Sequence, residues 1–179
     1  ILTTGSLTPK YHAMVAKHPE QFKYCFRISG EAKWMVMGEL VPCLMNIGKQ
    51  FDLKKLYIMV QDVAHARAGG KILQKVMAKK GWEVLGDPVV YPTGATDFSM
   101  GLLDAKKRGA DVIIIWMDMP ETSILLKQWY DLKVPALPFG TIISAAEQPG
   151  FWEATEGKGE YCLANVVNAG NAPSQATEW

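Results

Sequence analysis

The run Val112-Ile113-Ile114-Ile115-Trp116-Met117, closed by Asp111 and Asp118, restricts the fold more than any other part of this chain. Its six residues show no polar alternation, so a strand formed here has both faces covered, as in the centre of a parallel sheet. The run is far too short to cross a bilayer. Parallel neighbours need crossover connections, and the rest of the sequence supplies them. Residues 56–60 (LYIMV) read as a second buried strand. Residues 82–91 read as a third, interrupted at Gly86-Asp87-Pro88, and residues 136–139 as a fourth. Shorter strand signals lie at residues 24–28 and 161–167.

Helical periods alternate with these strands. Ser29 is placed to cap a helix with Trp34, Met37, Val41 and Leu44 inward, bent by Pro42 and ended by Gly48. A second helix spans residues 66–80, with Ile72, Leu73, Val76 and Met77 inward and Gly81 as its terminator. Thr96 is expected to cap a third, with Asp97 in its first turn, Phe98, Leu102 and Ala105 on one face, and Gly109 as the stop. A fourth opens at Asp118-Met119-Pro120-Glu121, and a weaker one covers residues 151–156.

Strand and helix alternating in this way predict a three-layer α/β/α sandwich with a doubly wound, mostly parallel sheet of about five strands. The composition suits it: 179 residues, 49% apolar and 21% charged, make a folded domain that needs no staple. Ligands of such sheets sit beyond the carboxyl ends of the strands. The loops at residues 61–67, 116–121 and 139–145 are therefore expected to face a ligand.

Enzyme signatures are missing: there is no GxGxxG after a strand, no GxxxxGK[ST], no GxSxG and no HExxH. Gly69-Gly70 reads as close packing of a helix on the sheet, not as a phosphate loop. His12 and His18 read as solvated surface groups. Cys25, Cys43 and Cys162 form no CxxC pair and no ligand spacing with the histidines, so neither a metal nor a cofactor is expected. A net charge of +1 gives no electrostatic case for nucleic acid or an anionic membrane surface.

Several segments in fixed order then carry a resemblance. They are the Phe26-Arg27 pair, the TDFS helix start at Thr96, the KRGADVIII strand entry from Lys107, and FWEATEGKGEY from Phe151. In this order the chain resembles the type I periplasmic solute-binding proteins, in the leucine/isoleucine/valine-binding branch of ABC transporter receptors. The likeness runs from about residue 1 to residue 167. It implies a fragment of a two-lobed, non-catalytic receptor: residues 1–27 end the first lobe and cross over, 28–167 form the second ligand-binding lobe, and 168–179 are an irregular returning tail. It also implies a periplasmic or extracytoplasmic location and a small polar ligand, such as an amino acid or another small carboxylate, held between lobes. A membrane permease would be the partner, with self-association where the first lobe is missing. A ligand-sensing domain of the same fold in a regulator is the alternative.

The resemblance assigns ligand contacts to Thr4, Ser6, His65, Trp116, Asp118, Gly140 and Thr141. Thr4 and Ser6 fall where the first lobe holds a ligand's carboxylate and amino group. His65 replaces a tyrosine, and Gly140 or Thr141 stands where amino-acid binders carry an acid, leaving Asp118 to supply that charge. Each residue also has a plain structural reading: Asp118 and Glu121 as a capping box, His65 as a surface group, Trp116 as core, Thr4 and Ser6 as caps of a helix over residues 7–16. The resemblance further implies that the strands bearing Cys25 and Cys162 run side by side, as thiols or as a disulfide.

Overall fold

The structure, a computed structural model, describes residues 2–3, 7–8, 10–28 and 30–164. Strand β1 (Leu2–Thr3) leads to helices α1 (Lys10–Lys17) and α2 (Pro19–Phe22), neither of which buries a residue. Strand β2 (Phe26–Arg27) then pairs with β1 in parallel, making a small two-stranded sheet apart from the main one. Arg27 anchors this segment, donating to the Thr8 carbonyl at 3.0 Å and lying 3.4 Å from Glu31.

One long helical stretch follows: α3 (Ala32–Trp34), a π-helical turn over Met35–Leu40, and α4 (Val41–Phe51). The π turn is the response to Pro42. Proline lacks an N–H and its ring collides with the carbonyl four residues back, so the preceding turn widens and Val41 N–H reaches back five residues to the Val36 carbonyl. The added residue rotates the register. Met35, Val36 and Leu40 face inward, while Trp34 and Met37, expected in the core, are exposed. Val41 and Leu44 are buried as expected.

Among the described residues the main sheet has six strands, all paired in parallel. Strand β3 (Lys55–Gln61) is flanked on one side by β4 (Glu83–Val84) and β5 (Val89–Tyr91), two pieces of one edge strand broken where Gly86 adopts φ +87°. On its other side come β6 (Val112–Met117), β7 (Leu137–Ile143) and β8 (Leu163–Ala164) in turn. Asp111 closes the apolar run because its Oδ2 accepts the N–H groups of Lys54 and Lys55 at 2.7 and 2.8 Å, fixing the start of β3.

Helix α5 (Ala64–Lys79) joins the Ala32–Phe51 stretch on one face of the sheet; α6 (Ser99–Lys107), α7 (Thr122–Asp131) and α8 (Phe151–Thr155) cover the other. Two cores result. Val112, Ile114 and Trp116 enter the first with Leu56, Ile58 and Val60, while Ile113, Ile115 and Met117 enter the second with Phe98, Leu102 and Leu125. Alternate burial on opposite faces is why the run has no polar residue. Truncating any of these isoleucines to alanine would cost about 2–5 kcal/mol. The expected three-layer α/β/α sandwich is the fold. Among the described residues no helix is long and apolar enough to cross a membrane.

Three local expectations are corrected. Strand β7 continues four residues beyond the predicted end, so Gly140 and Thr141 lie within a buried strand, not in a loop. Helix α6 is entered through Asp97, whose Oδ1 accepts the Ser99 N–H at 2.9 Å, while the Phe98 N–H within reach of a Thr96 cap goes to Gln128 Oε1 at 2.8 Å. The strand after Cys25 pairs with β1 and the strand after Cys162 with β7, so the implied side-by-side arrangement is not made, and all three cysteines are free thiols. The predicted tail, residues 168–179, lies outside the described residues.

Candidate functional site

The carboxyl ends of β3, β6 and β7 open on one side of the sheet, and two side chains stitch their loops together. Gln61, the buried last residue of β3, donates from Nε2 to Thr93 Oγ1 at 2.8 Å and accepts the Asp118 N–H at Oε1, also 2.8 Å. Thr122, buried at the start of α7, donates to the Met119 carbonyl at 3.0 Å and accepts the Ala145 N–H at 2.9 Å. The first residue fixes the loop after β6 to β3; the second fixes it to the turn after β7. These bonds set the positions of Asp118 and of the 3₁₀ turn Ser144–Glu147.

His65, Asp118 and Glu147 share this surface electrostatically. His65 is in the first turn of α5, half-buried, and burial lowers its imidazole below the usual histidine range while the Asp118 charge pulls the other way. Burial, and then the Asp118 carboxylate, raise Glu147 above the usual range. Asp118 itself is exposed, and its carboxylate accepts no hydrogen bond among the described residues. The capping box expected for Asp118 and Glu121 does not form: α7 begins at Thr122, after Glu121, with no side-chain cap. Helix α5 likewise starts after Val63 with no side-chain cap.

The remaining assigned residues divide. Trp116 is wholly buried on Gly69, with its ring centroid 6.2 Å from that of His65. The Gly69-Gly70 pair is thus a packing device, Gly69 against the indole and Gly70 against Val60 and Pro88. Gly140 is required by the sheet: a Cβ there would run into the Ile115 carbonyl of β6, where the β6–β7 register shifts. Thr141 is buried and donates to Glu39 Oε2 at 2.5 Å, on the π-helical turn. His65, Trp116 and Asp118 therefore come together, while Gly140 and Thr141 are held in the sheet interior. Thr4 and Ser6 lie outside the described residues.

Glu147 and Gln61's bridging role escaped the sequence reading. Ending β7 at residue 139 placed the following loop four residues early and stopped short of Glu147. The pair Ile142-Ile143, strand formers after Gly140-Thr141, was the available signal.

A separate groove of about 450 Å³ lies beside α6, lined by Tyr57, Tyr91, Gly101 and Asp104 among others. Its polar groups pair with neighbours: Tyr57 Oη donates to Asp104 Oδ2 at 3.0 Å, and Arg108 Nε meets the same oxygen at 2.9 Å. Among the described residues no three His, Cys, Asp or Glu side chains gather as a metal-ligand set.

Comparison with known proteins gives this fold a family. A model of the periplasmic binding protein family matches residues 6–175. Among solved structures, a protein assigned to a branched-chain amino acid ABC transporter of Silicibacter pomeroyi superposes with a TM-score of 0.71 at 13% identity, over 85% of this chain and 38% of that one. A solute-binding protein of an R. palustris ABC transporter, in complex with 4-hydroxybenzoate, gives 0.60 at 23% identity, over 76% and 36%. The leucine-, isoleucine-, valine-, threonine- and alanine-binding protein of Brucella ovis, in its closed conformation, gives 0.56 at 17%, over 73% and 32%. The chain thus spans well under half the length of each of these structures. The search of curated proteins returned no match. With 170 of its 179 residues inside the family match, and a parallel sheet shared with these type I folds, the chain belongs to the periplasmic binding protein family.

Proposed function

We propose that this chain is the second lobe, with part of the first, of an extracytoplasmic solute-binding receptor serving an ABC transporter. Residues 1–27 belong to the first lobe and its crossing strand, 28–167 to the second lobe, and 168–179 to the returning tail. The receptor closes over a small zwitterion, an amino acid or a related ammonium-bearing carboxylate, and delivers it to a membrane permease without changing it chemically. The related structures named for branched-chain amino acids and for 4-hydroxybenzoate support this size class.

One observation carries the choice of a zwitterion: Asp118 acts on both His65 and Glu147 at the same ends of the strands where α5 and α7 start without side-chain caps. The first-turn N–H groups of α5 favour an anionic group, those of α7 being taken by the Met119, Pro120 and Glu121 carbonyls, and the two carboxylates favour a cationic one. A plain aromatic carboxylate would meet the carboxylates with no cation to offer. Thr4 and Ser6 would meet the ligand from the first lobe. His65 and Asp118 would meet it from the second, with Trp116 beneath them and Gly140 and Thr141 shaping the sheet end.

Calorimetric titration of the full-length protein that carries this chain, with amino acids, benzoate, 4-hydroxybenzoate and a neutral sugar, tests the proposal. Saturable binding confined to the amino acids is expected. Binding of benzoate or the sugar alone would overturn the zwitterion, and no binding by any probe would overturn the receptor.

A further inference from the structure

We infer that the seam between His65 and Trp116 is a subsite for a ligand hydroxyl, an oxygen that accepts from Trp116 Nε1–H and donates to His65 Nε2. The inference rests on the receptor reading above and narrows the ligand to one that carries a hydroxyl as well as an ammonium group.

Trp116 is wholly buried, yet its Nε1–H has no partner among the described residues; the same is true of the buried His65 Nε2. Buried polar atoms are nearly always satisfied, so two orphans on a pair of neighbouring rings call for an occupant. The rings touch at 6.2 Å between centroids with 57° between planes, but their nitrogens do not bond each other. Gln61 does not serve them: its amide bonds Thr93 and Asp118 and makes no bond to either nitrogen.

The chemistry of the pair selects its guest. Indole Nε1–H only donates, and a neutral imidazole in its Nδ1–H tautomer accepts at Nε2. Burial favours the neutral imidazole, and its Nδ1–H tautomer is the one that leaves Nε2 free to accept from a ligand. The complement of one donor and one acceptor is a group that both accepts and donates, which is a hydroxyl. A carboxylate brings no proton and is repelled by Asp118; an ammonium has no lone pair for the indole. The seam is placed for this use, because Trp116 is two residues before exposed Asp118 and His65 is only half-buried on the first turn of α5.

Threonine and valine, equal in shape and differing by hydroxyl for methyl, are the probes. Titrated into the full-length protein, threonine should bind at least ~10-fold more tightly than valine. The Trp116→Phe variant should bring the two affinities together. The Trp116 indole N–H resonance of the unaltered protein should shift with threonine and stay in place with valine, a readout that survives if the variant fails to fold. Valine binding as tightly as threonine, or an unmoved indole resonance in saturating threonine, would overturn the subsite and leave the receptor standing. Failure of both to bind, along with every other amino acid, would overturn the zwitterion reading and the subsite together, and failure of benzoate, 4-hydroxybenzoate and the sugar as well would overturn the receptor.

Discussion

The indole of Trp116 occupies the space that a Cβ at Gly69 would need. Gly69 is in the middle of α5, where alanine would ordinarily stabilise a helix by up to about 1 kcal/mol. Here the ring cannot retreat, because Trp116 lies within a strand buried on both faces. Gly69→Ala should therefore destabilise the protein by about 1–3 kcal/mol, the usual cost of overpacking. A urea melt that shows the variant equal to or above the parent would refute the contact.

Gln61 offers a second test. Its amide joins Thr93 to Asp118 across the loops after β5 and β6. Leucine at this position fills similar space but leaves the Asp118 N–H and the Thr93 hydroxyl without these partners. Gln61→Leu should cost about 1–3 kcal/mol in stability and quicken amide exchange at Asp118. Unchanged exchange at that amide would mean the loop holds its shape without Gln61.

Much of this was readable in the sequence because burial leaves a pattern. The two-sided core of β3 and β6 shows as unbroken apolar runs, and the broken edge strand shows as Gly86-Asp87-Pro88 between two strand signals. What the sequence concealed are features that depend on non-local partners. Pro42 announces a disturbed turn, but the direction in which the π turn rotates Trp34 and Met37 depends on which face meets the sheet. Gly140 resembles the end of a strand until β6 is placed beside it, when the close approach of the Ile115 carbonyl explains it. Glu147 belongs to the site only because Thr122 draws Ala145 against α7, a bond between residues 23 apart in sequence.

The pH response of Glu147 has a definite sign. Its folded-state pKa lies above the unfolded value near 4.5, through burial first and the Asp118 charge second. The folded protein thus holds this proton more tightly, and ionising Glu147 carries a penalty that is absent below pH 4.5 and complete above the raised pKa. Glu147→Gln should raise the melting temperature at pH 7, with the gain vanishing as pH falls below 4.5. His65 runs the other way: its lowered pKa contributes stability that is fully present above pH 6.5 and is lost as pH falls from there through the lowered folded-state pKa. A Glu147→Gln gain that persisted at pH 4 would show another cause.

Cys162 should be chemically silent in the folded protein. Burial pushes its thiol up to about 12, so the thiolate that reacts with alkylating agents is scarcely present at pH 8. It is partly buried against the core on the α7 side of the sheet. Alkylation followed by peptide mass spectrometry should find Cys162 modified only at the rate at which the protein opens. Full labelling within minutes under native conditions would contradict this burial.

Asp118 separates a ligand contact from a structural acid. Its backbone N–H is held by Gln61 and would stay held in asparagine, while its exposed carboxylate caps no helix, since α7 starts four residues later without a side-chain cap. Asp118→Asn should leave stability within about 0.5 kcal/mol of the parent, where loss of a true cap costs about 1 kcal/mol. Removing the charge should nonetheless weaken an ammonium-bearing ligand about tenfold, near 1.4 kcal/mol. It should also lower the raised Glu147 pKa, because one of the two causes of that shift is gone. Melting curves and titrations on this one variant distinguish the roles: lost stability with unchanged affinity would make Asp118 structural after all, and lost affinity at constant stability would place it against the ligand.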